Sequence, residues 1–411
     1  MMRLLRFSAI GLTVFSLQAA QAAEFPFLDE DSKSGSTMTS SSAPKSWMTQ
    51  VGKDWMKYLS DDKKLASISI PGTHDTGARH GGAACETQSW SVREQLDAGI
   101  RYFDIRNRRT KGSFAIHHGP CFQKIMFGDV LNQVRSFLNA NPSEVVLMRV
   151  KEEHKPEKGS DSFSKIWSGY MRTYGSMFVP QRTTLPTLGD VRGKVLVLRN
   201  ASFSGQGISY SGTNTTIQDS YKVYYMAHDN PFGSDTVSLP QKKRKVRSYV
   251  DKARKSSKLV LNHLSGAIGM IPKDVARATN GDAYKKLGPY TGRKQNGVMI
   301  MDFPGEKLLY RIIKSNFKST RMCAPKTWKT QSDHTYAKFQ MPRASVGTVI
   351  KIKGGAYNKY VFPKCNRATW KDLRFFCQAN GKWKKMSGSW DADALCHNSN
   401  TKQKYLKVGK R

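Results

Sequence analysis

Acidic residues are scarce in this chain: its 411 residues hold 31 Asp and Glu against 67 Lys and Arg, a formal charge of +36. Three readings of that surplus compete. A basic surface can hold the chain near anionic lipid, where each Lys or Arg adds roughly 1 kcal/mol. It can bind nucleic-acid phosphates without reading sequence, or it can simply be solvated. Long apolar runs are also missing beyond the N-terminus, which excludes a later membrane-spanning helix. No Cys-x-x-Cys pair occurs, so the usual spacing for structural zinc is absent. The histidine motifs come without an obvious pair of metal-ligating carboxylates.

What is present begins with Arg3 and Arg6, a mostly apolar Leu4–Leu17, and the small-residue pattern Ala20-Gln21-Ala22. This reads as an export signal over residues 1–22, cleaved after Ala22 or Ala23, and the apolar part is short for a membrane span. Loss of Arg3 and Arg6 leaves +34 on the mature chain. Export to a secreted, extracellular location weakens the nucleic-acid reading, and no nucleic-acid partner is expected. Six cysteines in an exported chain read as oxidised. Residues 23–50 are expected to be a flexible leader.

From Trp55 onward, short apolar runs alternate with helix-like segments. The runs are Leu65–Ile70, Ile100–Ile105, Phe114–Ile116, Val145–Val150, Val195–Leu198, Val223–Met226, Leu259–Leu264 and Val298–Met301. Helical spacing marks Val92–Asp97, Phe127–Leu138 and Asp161–Tyr174. Brief β-branched runs alternating with helices predict an α/β fold with a parallel sheet. Eight such runs point to a (β/α)8 TIM-type barrel over residues 51–320. The polar stretch Ser202–Thr216 reads as a loop, which would make the barrel irregular there.

The chemistry-bearing residues fall at the ends of these runs. His74 follows the first, Asp104 and Arg106 end the second, and His118 ends the third. Lys151, Arg199 and Asp302 end the fourth, fifth and last. Asp104 and Arg106 are two apart and share one face of a strand. Two histidines, a carboxylate and a guanidinium at strand ends suit acid–base chemistry on a phosphodiester, with Arg106 meeting the developing charge in place of a cation. A solvated polar residue at one strand end is ordinary; six together are not. His117 and His118 alternate, so only one points inward, and spacing alone does not choose. Cys85 and Cys121 sit in loops on the same side; whether they bridge is open from sequence. His80, His154, His228 and His263 read as ordinary surface or core histidines.

The segments Ile68–Asp75, Gln88–Leu96, Gly99–Arg106 and His117–Pro120 resemble the catalytic half of bacterial phosphatidylinositol-specific phospholipase C. Shorter matches run through Asn141–Glu144, Arg192–Arg199, Gln218–Tyr221 and Met301–Phe303. The resemblance implies a distorted barrel and a metal-independent lyase with no cofactor. The inositol 2-hydroxyl attacks phosphorus, diacylglycerol leaves, and 1,2-cyclic inositol phosphate forms. It implies His74 as general base oriented by Asp302, and His118 as general acid assisted by Asp75. Arg106 faces the phosphoryl oxygens and Asp104 braces these groups. Lys151, Arg199 and Asp219 hold inositol, with Tyr221 stacking on the ring. The substrate would be phosphatidylinositol or the inositol of a glycosylphosphatidylinositol anchor, met at a membrane by a monomer.

Past about residue 321 the cysteines crowd. Cys323-Ala-Pro and Gly381-Lys382-Trp383 before Cys396 resemble a sushi (complement control) module over 321–400, followed by a basic tail, 401–411. That resemblance implies the pairs Cys323–Cys377 and Cys365–Cys396, and a module that binds a surface protein or glycan or merely stabilises. The run Gln241–Arg247 looks like a nuclear import signal but is common in so basic a chain. Beside a lipid-cleaving barrel it more simply meets anionic lipid. Two rivals stand against the lyase. One is a metal-dependent glycerophosphodiesterase or sphingomyelinase-D-like barrel, the other a non-catalytic adhesin.

Overall fold

Backbone alternation and short β-branched runs build most of the sheet. The computed structural model describes residues 37–40, 42–225, 235–267, 269–288 and 294–317, and the backbone of strands between 322 and 410. In chain order the strands are β1 (Ile70–Thr73), β2 (Tyr102–Thr110), β3 (Ser113–His118), β4 (Cys121–Met126), β5 (Val146–Glu152), β6 (Val195–Asn200), β7 (Ile208–Ser209), β8 (Thr215–Gln218), β9 (Val223–Tyr224), β10 (Val237–Ser238), β11 (Leu259–His263) and β12 (Val298–Met301). The helices are α1 (Ser46–Gly52), α2 (Val92–Asp97), α3 (Phe127–Ala140), α4 (Phe163–Tyr174), α5 (Leu239–Ala253), α6 (Pro272–Leu287) and α7 (Glu306–Lys314).

One curled sheet runs β7-β6-β5-β2-β1-β12-β11-β8, parallel at every step. Among the described residues no ladder joins β7 to β8, so the sheet is a partial barrel with an open seam rather than a closed one. Every residue of β12 and the first five of β5 are buried, as parallel strands covered on both faces require. β1 approaches β2 closely because Gly72 has no side chain: a Cβ there would stand 2.8 Å from the Cβ of Tyr102.

Four expectations are corrected. Phe114–Ile116 belongs to an antiparallel hairpin, β3–β4, on the far half of β2. Val223–Tyr224 pairs with β10 in a small separate sheet. Their places in the parallel sheet go to β7 and β8, from the region read as a loop. Thr215-Thr216-Ile217 is polar by composition but β-branched, and the buried Thr215 hydroxyl is satisfied by donating to Tyr210 O. The expected flexible leader is ordered in its second half: Thr39 bridges Pro304, and α1 buries Met48 and Val51.

At the opposite end from the strand tips, Arg101 and Glu144 form a buried ion pair at 2.9 Å. The guanidinium also donates to the carbonyls of Leu96, Ile100, Gly52 and Lys53, so its donors are satisfied.

In the tail, Lys326–Gln331 pairs antiparallel with Thr335–Met341, and Val349–Ile352 with Leu373–Cys377. Leu406–Lys410 pairs with Thr335–Phe339, so the expected boundary at 400 cuts through a sheet. The proposed pairs Cys323–Cys377 and Cys365–Cys396 lie outside the described residues.

Candidate active site

Strand register gathers the polar side chains. In the β2–β5 ladder Asp104 lies beside Arg149 and Arg106 beside Lys151, so all four share one face. That face forms the wall of a cavity of about 430 Å³. His74, His118, Arg106, Lys151, Asp219, Tyr221 and Asp302 line it. Asp75 and Asp104 are fully buried directly behind. Arg199 is not among the lining residues. It pairs with Val150 in the β5–β6 ladder and so faces away from Arg149 and Lys151. Its guanidinium donates to the carbonyls of Gln206 and Gly207.

His74 leaves the end of β1, and its backbone N–H donates to Met301 O. Its Nδ1 lies 2.8 Å from Asp302 Oδ1 and its Nε2 lies 2.6 Å from Arg106 Nη2. A guanidinium only donates, so Nε2 is the acceptor and the ring proton sits on Nδ1, donated to Asp302. Burial and the Arg106 charge hold the imidazole well below its ordinary value of 6.5. Burial, with Asp75 nearby, pushes the Asp302 carboxyl well up. His74 is therefore a neutral imidazole with one lone pair aimed into the cavity.

Arg106 is surrounded by acids. It reaches Asp75 Oδ2 at 3.2 Å, Asp104 Oδ2 at 3.3 Å and Glu153 Oε1 at 3.6 Å. Burial opposes its charge, but these carboxylates outweigh burial and raise its pKa. Burial likewise opposes ionisation of Asp104, yet Arg149 and Arg106 hold that carboxyl far below the usual range.

On the other side, His118 ends β3. Its Nδ1 donates to Cys85 O at 2.8 Å and lies 3.7 Å from Asp75 Oδ2. The imidazoles of His74 and His118 are 6.4 Å apart, edge to face. Cys85 and Cys121 form a disulfide, so the loop whose carbonyl orients His118 is tied to the strand that follows it. His117 points away and stacks with His154.

Four neighbours were not anticipated. Arg149 contacts Asp104 at 3.3 Å, stacks over Tyr210 and donates to Asn200 Oδ1. Glu153 accepts from Lys151 at 2.6 Å. His263, treated as an ordinary histidine, is buried 6.0 Å from the His74 ring, between Tyr210 Oη and Asp219. Burial pushes it down to about 4, so it is neutral. Lys242, on α5, is fully buried behind the wall that carries Asp219. The alternation Arg149-x-Lys151-x-Glu153 was a signal for two of these. His263 and Lys242 carried none.

A model of the family described as phosphatidylinositol-specific phospholipase C, X domain, matches residues 62–201. A 1-phosphatidylinositol phosphodiesterase of Listeria monocytogenes is 33% identical over 291 residues, 64% of this chain and 85% of that one. A protein of the same name from Staphylococcus aureus is 26% identical, covering 66% and 96%. The structure of the phosphatidylinositol-specific phospholipase C from Listeria monocytogenes aligns with a TM-score of 0.55 and 31% identity, over 64% of this chain and 98% of that one.

Proposed function

The chain belongs to the phosphatidylinositol-specific phospholipase C family and is an enzyme of that class, and we propose that it works as a metal-independent lyase through His74 and His118. In this reading His74 Nε2 takes the proton of the inositol 2-hydroxyl, whose oxygen attacks phosphorus. The bond from phosphorus to the glyceride oxygen breaks, and His118 protonates that oxygen. Diacylglycerol leaves and 1,2-cyclic inositol phosphate remains. Asp302 stabilises the imidazolium that forms on His74, as in other His–Asp pairs.

The observation that carries this reading is the guanidinium between the two imidazoles. Arg106 touches His74 Nε2 and Asp75, and His118 stands across the same space. A phosphoryl group entering there meets a fixed cation, and its anionic oxygens are stronger acceptors than an imidazole. Substrate thereby draws Arg106 off the lone pair that the base needs. Lys151 and Asp219 offer charged partners for inositol hydroxyls, and half-exposed Tyr221 offers a flat face.

Phosphatidylinositol, or the inositol of a glycosylphosphatidylinositol anchor, is the substrate in this reading, met at an anionic membrane. Exposed Phe122, beside the disulfide, and exposed Tyr221 support contact with lipid near the cavity mouth. The disulfide favours a secreted enzyme. Antiparallel strand pairs support a separate β module beyond residue 321, and its sushi-like assignment rests on the motifs Cys323-Ala-Pro and Gly381-Lys382-Trp383 with the cysteine pattern.

Phosphorus NMR of phosphatidylinositol vesicles with the enzyme in excess EDTA tests the proposal. A cyclic phosphate signal is expected, and it should vanish in His74→Ala. Turnover that requires added Mg²⁺ or Ca²⁺ would overturn the metal-independent reading.

A further inference from the structure

The basic run at the start of α5 reads as a surface that meets anionic lipid, yet one of its lysines is inside the protein. Lys242 is fully buried, whereas Arg244, Lys245 and Arg247 are exposed. Its ammonium donates to Ser220 O at 2.9 Å and lies 3.5 Å from Gln218 Oε1. Gln218 in turn donates to Asn262 Oδ1 and His263 O and accepts from the Ser220 N–H. Lys245 adds a bond to Ser220 Oγ. The turn leaving β8 is thus held from behind, and its front carries Asp219 and Tyr221 into the cavity.

The helix that supplies the ammonium is itself anchored. Ser238 and Gln241 close a capping box at its start, and Asn262 donates to Val246 O within it. Burying an ammonium is costly, and an apolar chain of the same volume would pack there at lower cost. The charged groups facing Lys242 are Asp219 beyond β8, Asp302 beyond β12 and Lys245 on its own helix; the titratable His263 of β11 faces it as well. Both carboxylates belong to the cavity.

We propose that Lys242 is a positioning residue for the phospholipase reaction. It holds Asp219 and Tyr221 toward the inositol ring and supplies the buried positive charge between Asp219 and Asp302. This inference rests on the phospholipase reading above. Burial pushes the amine down to about 7, so the charge is present below that pH and fades above it.

The test uses the full chain and dihexanoyl-phosphatidylinositol kept below its micelle concentration, which separates the chemistry from membrane binding. Lys242→Met should raise KM and the inhibition constant of myo-inositol about tenfold while kcat stays within about threefold. In the wild type, inhibition by myo-inositol should weaken as pH rises through about 7; in Lys242→Met it should be weak and flat from about pH 5.5 to about 9. A variant with wild-type KM, inhibition constant and pH profile overturns the proposal, as does a loss confined to kcat. If Lys242→Met shows no cooperative melt, Lys242→Gln and the wild-type inhibition profile decide, and a flat wild-type profile overturns it. A wild type that releases no cyclic phosphate overturns the phospholipase reading and this inference with it.

Discussion

Asp75 follows His74 with a φ of 43°, in the left-handed region that aspartate tolerates better than most residues. That turn drives its carboxyl inward, to full burial beside Arg106 and His118. Burial outweighs the opposing effect of Arg106 and raises its pKa from 3.8 to about 6. The folded state therefore holds this proton more tightly than the unfolded chain does, and Asp75 subtracts stability progressively as pH rises from about 4 to about 6. Asp75→Asn should raise Tm at pH 7.5 relative to wild type, with little gain at pH 3.5, and should lower kcat. Calorimetry at the two pH values checks this. An equal shift at both would mean the gain does not come from ionisation. A residue kept at the expense of stability fits a group that supports Arg106 and, in the proposed mechanism, His118.

At the scale of elements, the β3–β4 hairpin replaces a parallel strand and delivers His118. Its turn, Gly119-Pro120, brings Cys121 back to bond Cys85, whose carbonyl accepts from His118 Nδ1. The link spans 36 residues, a loop whose closure typically contributes about 2–4 kcal/mol. In Cys85→Ser/Cys121→Ser, Tm should fall and kcat on soluble substrate should drop about tenfold with KM nearly unchanged, because His118, the proposed acid, loses its orientation while the proposed inositol wall keeps its own. Unchanged kcat would reduce the disulfide to a purely stabilising role. The hairpin was hard to read from sequence because Phe114–Ile116 has the same apolar pattern in either direction. Strand direction is set by Lys111-Gly112 and Gly119-Pro120, which turn the chain back twice. The disulfide was open from sequence because whether two cysteines meet depends on the path of those turns.

Across the whole molecule the charge of +36 dominates. A net charge of that size would set up a positive field that draws the chain to anionic bilayers. Binding to vesicles containing phosphatidylserine should weaken at least about tenfold between about 0.1 and about 0.5 M NaCl, because salt shortens the screening length below the charge–lipid distance. Turnover of soluble substrate should change far less. Salt-independent vesicle binding would assign the attachment to apolar residues such as Phe122 instead. Residues 62–201, with the histidines and the arginine, and the α/β class were legible because they depend on local chemistry: which side chain follows a short apolar run, and which two share a strand face. Residues far apart were not. Asp302 reaches His74 across 228 positions, and Arg199 turns away because it pairs with Val150 rather than Lys151. His263 and Lys242 enter the site only through the packing of β11 and α5 against β8. Sequence by itself determined the chemical groups and their alternation along each strand, since those follow from one chain's backbone geometry. Register between strands and the depth of each side chain were decided only by the tertiary structure, because both arise from segments that meet solely when the sheet curls.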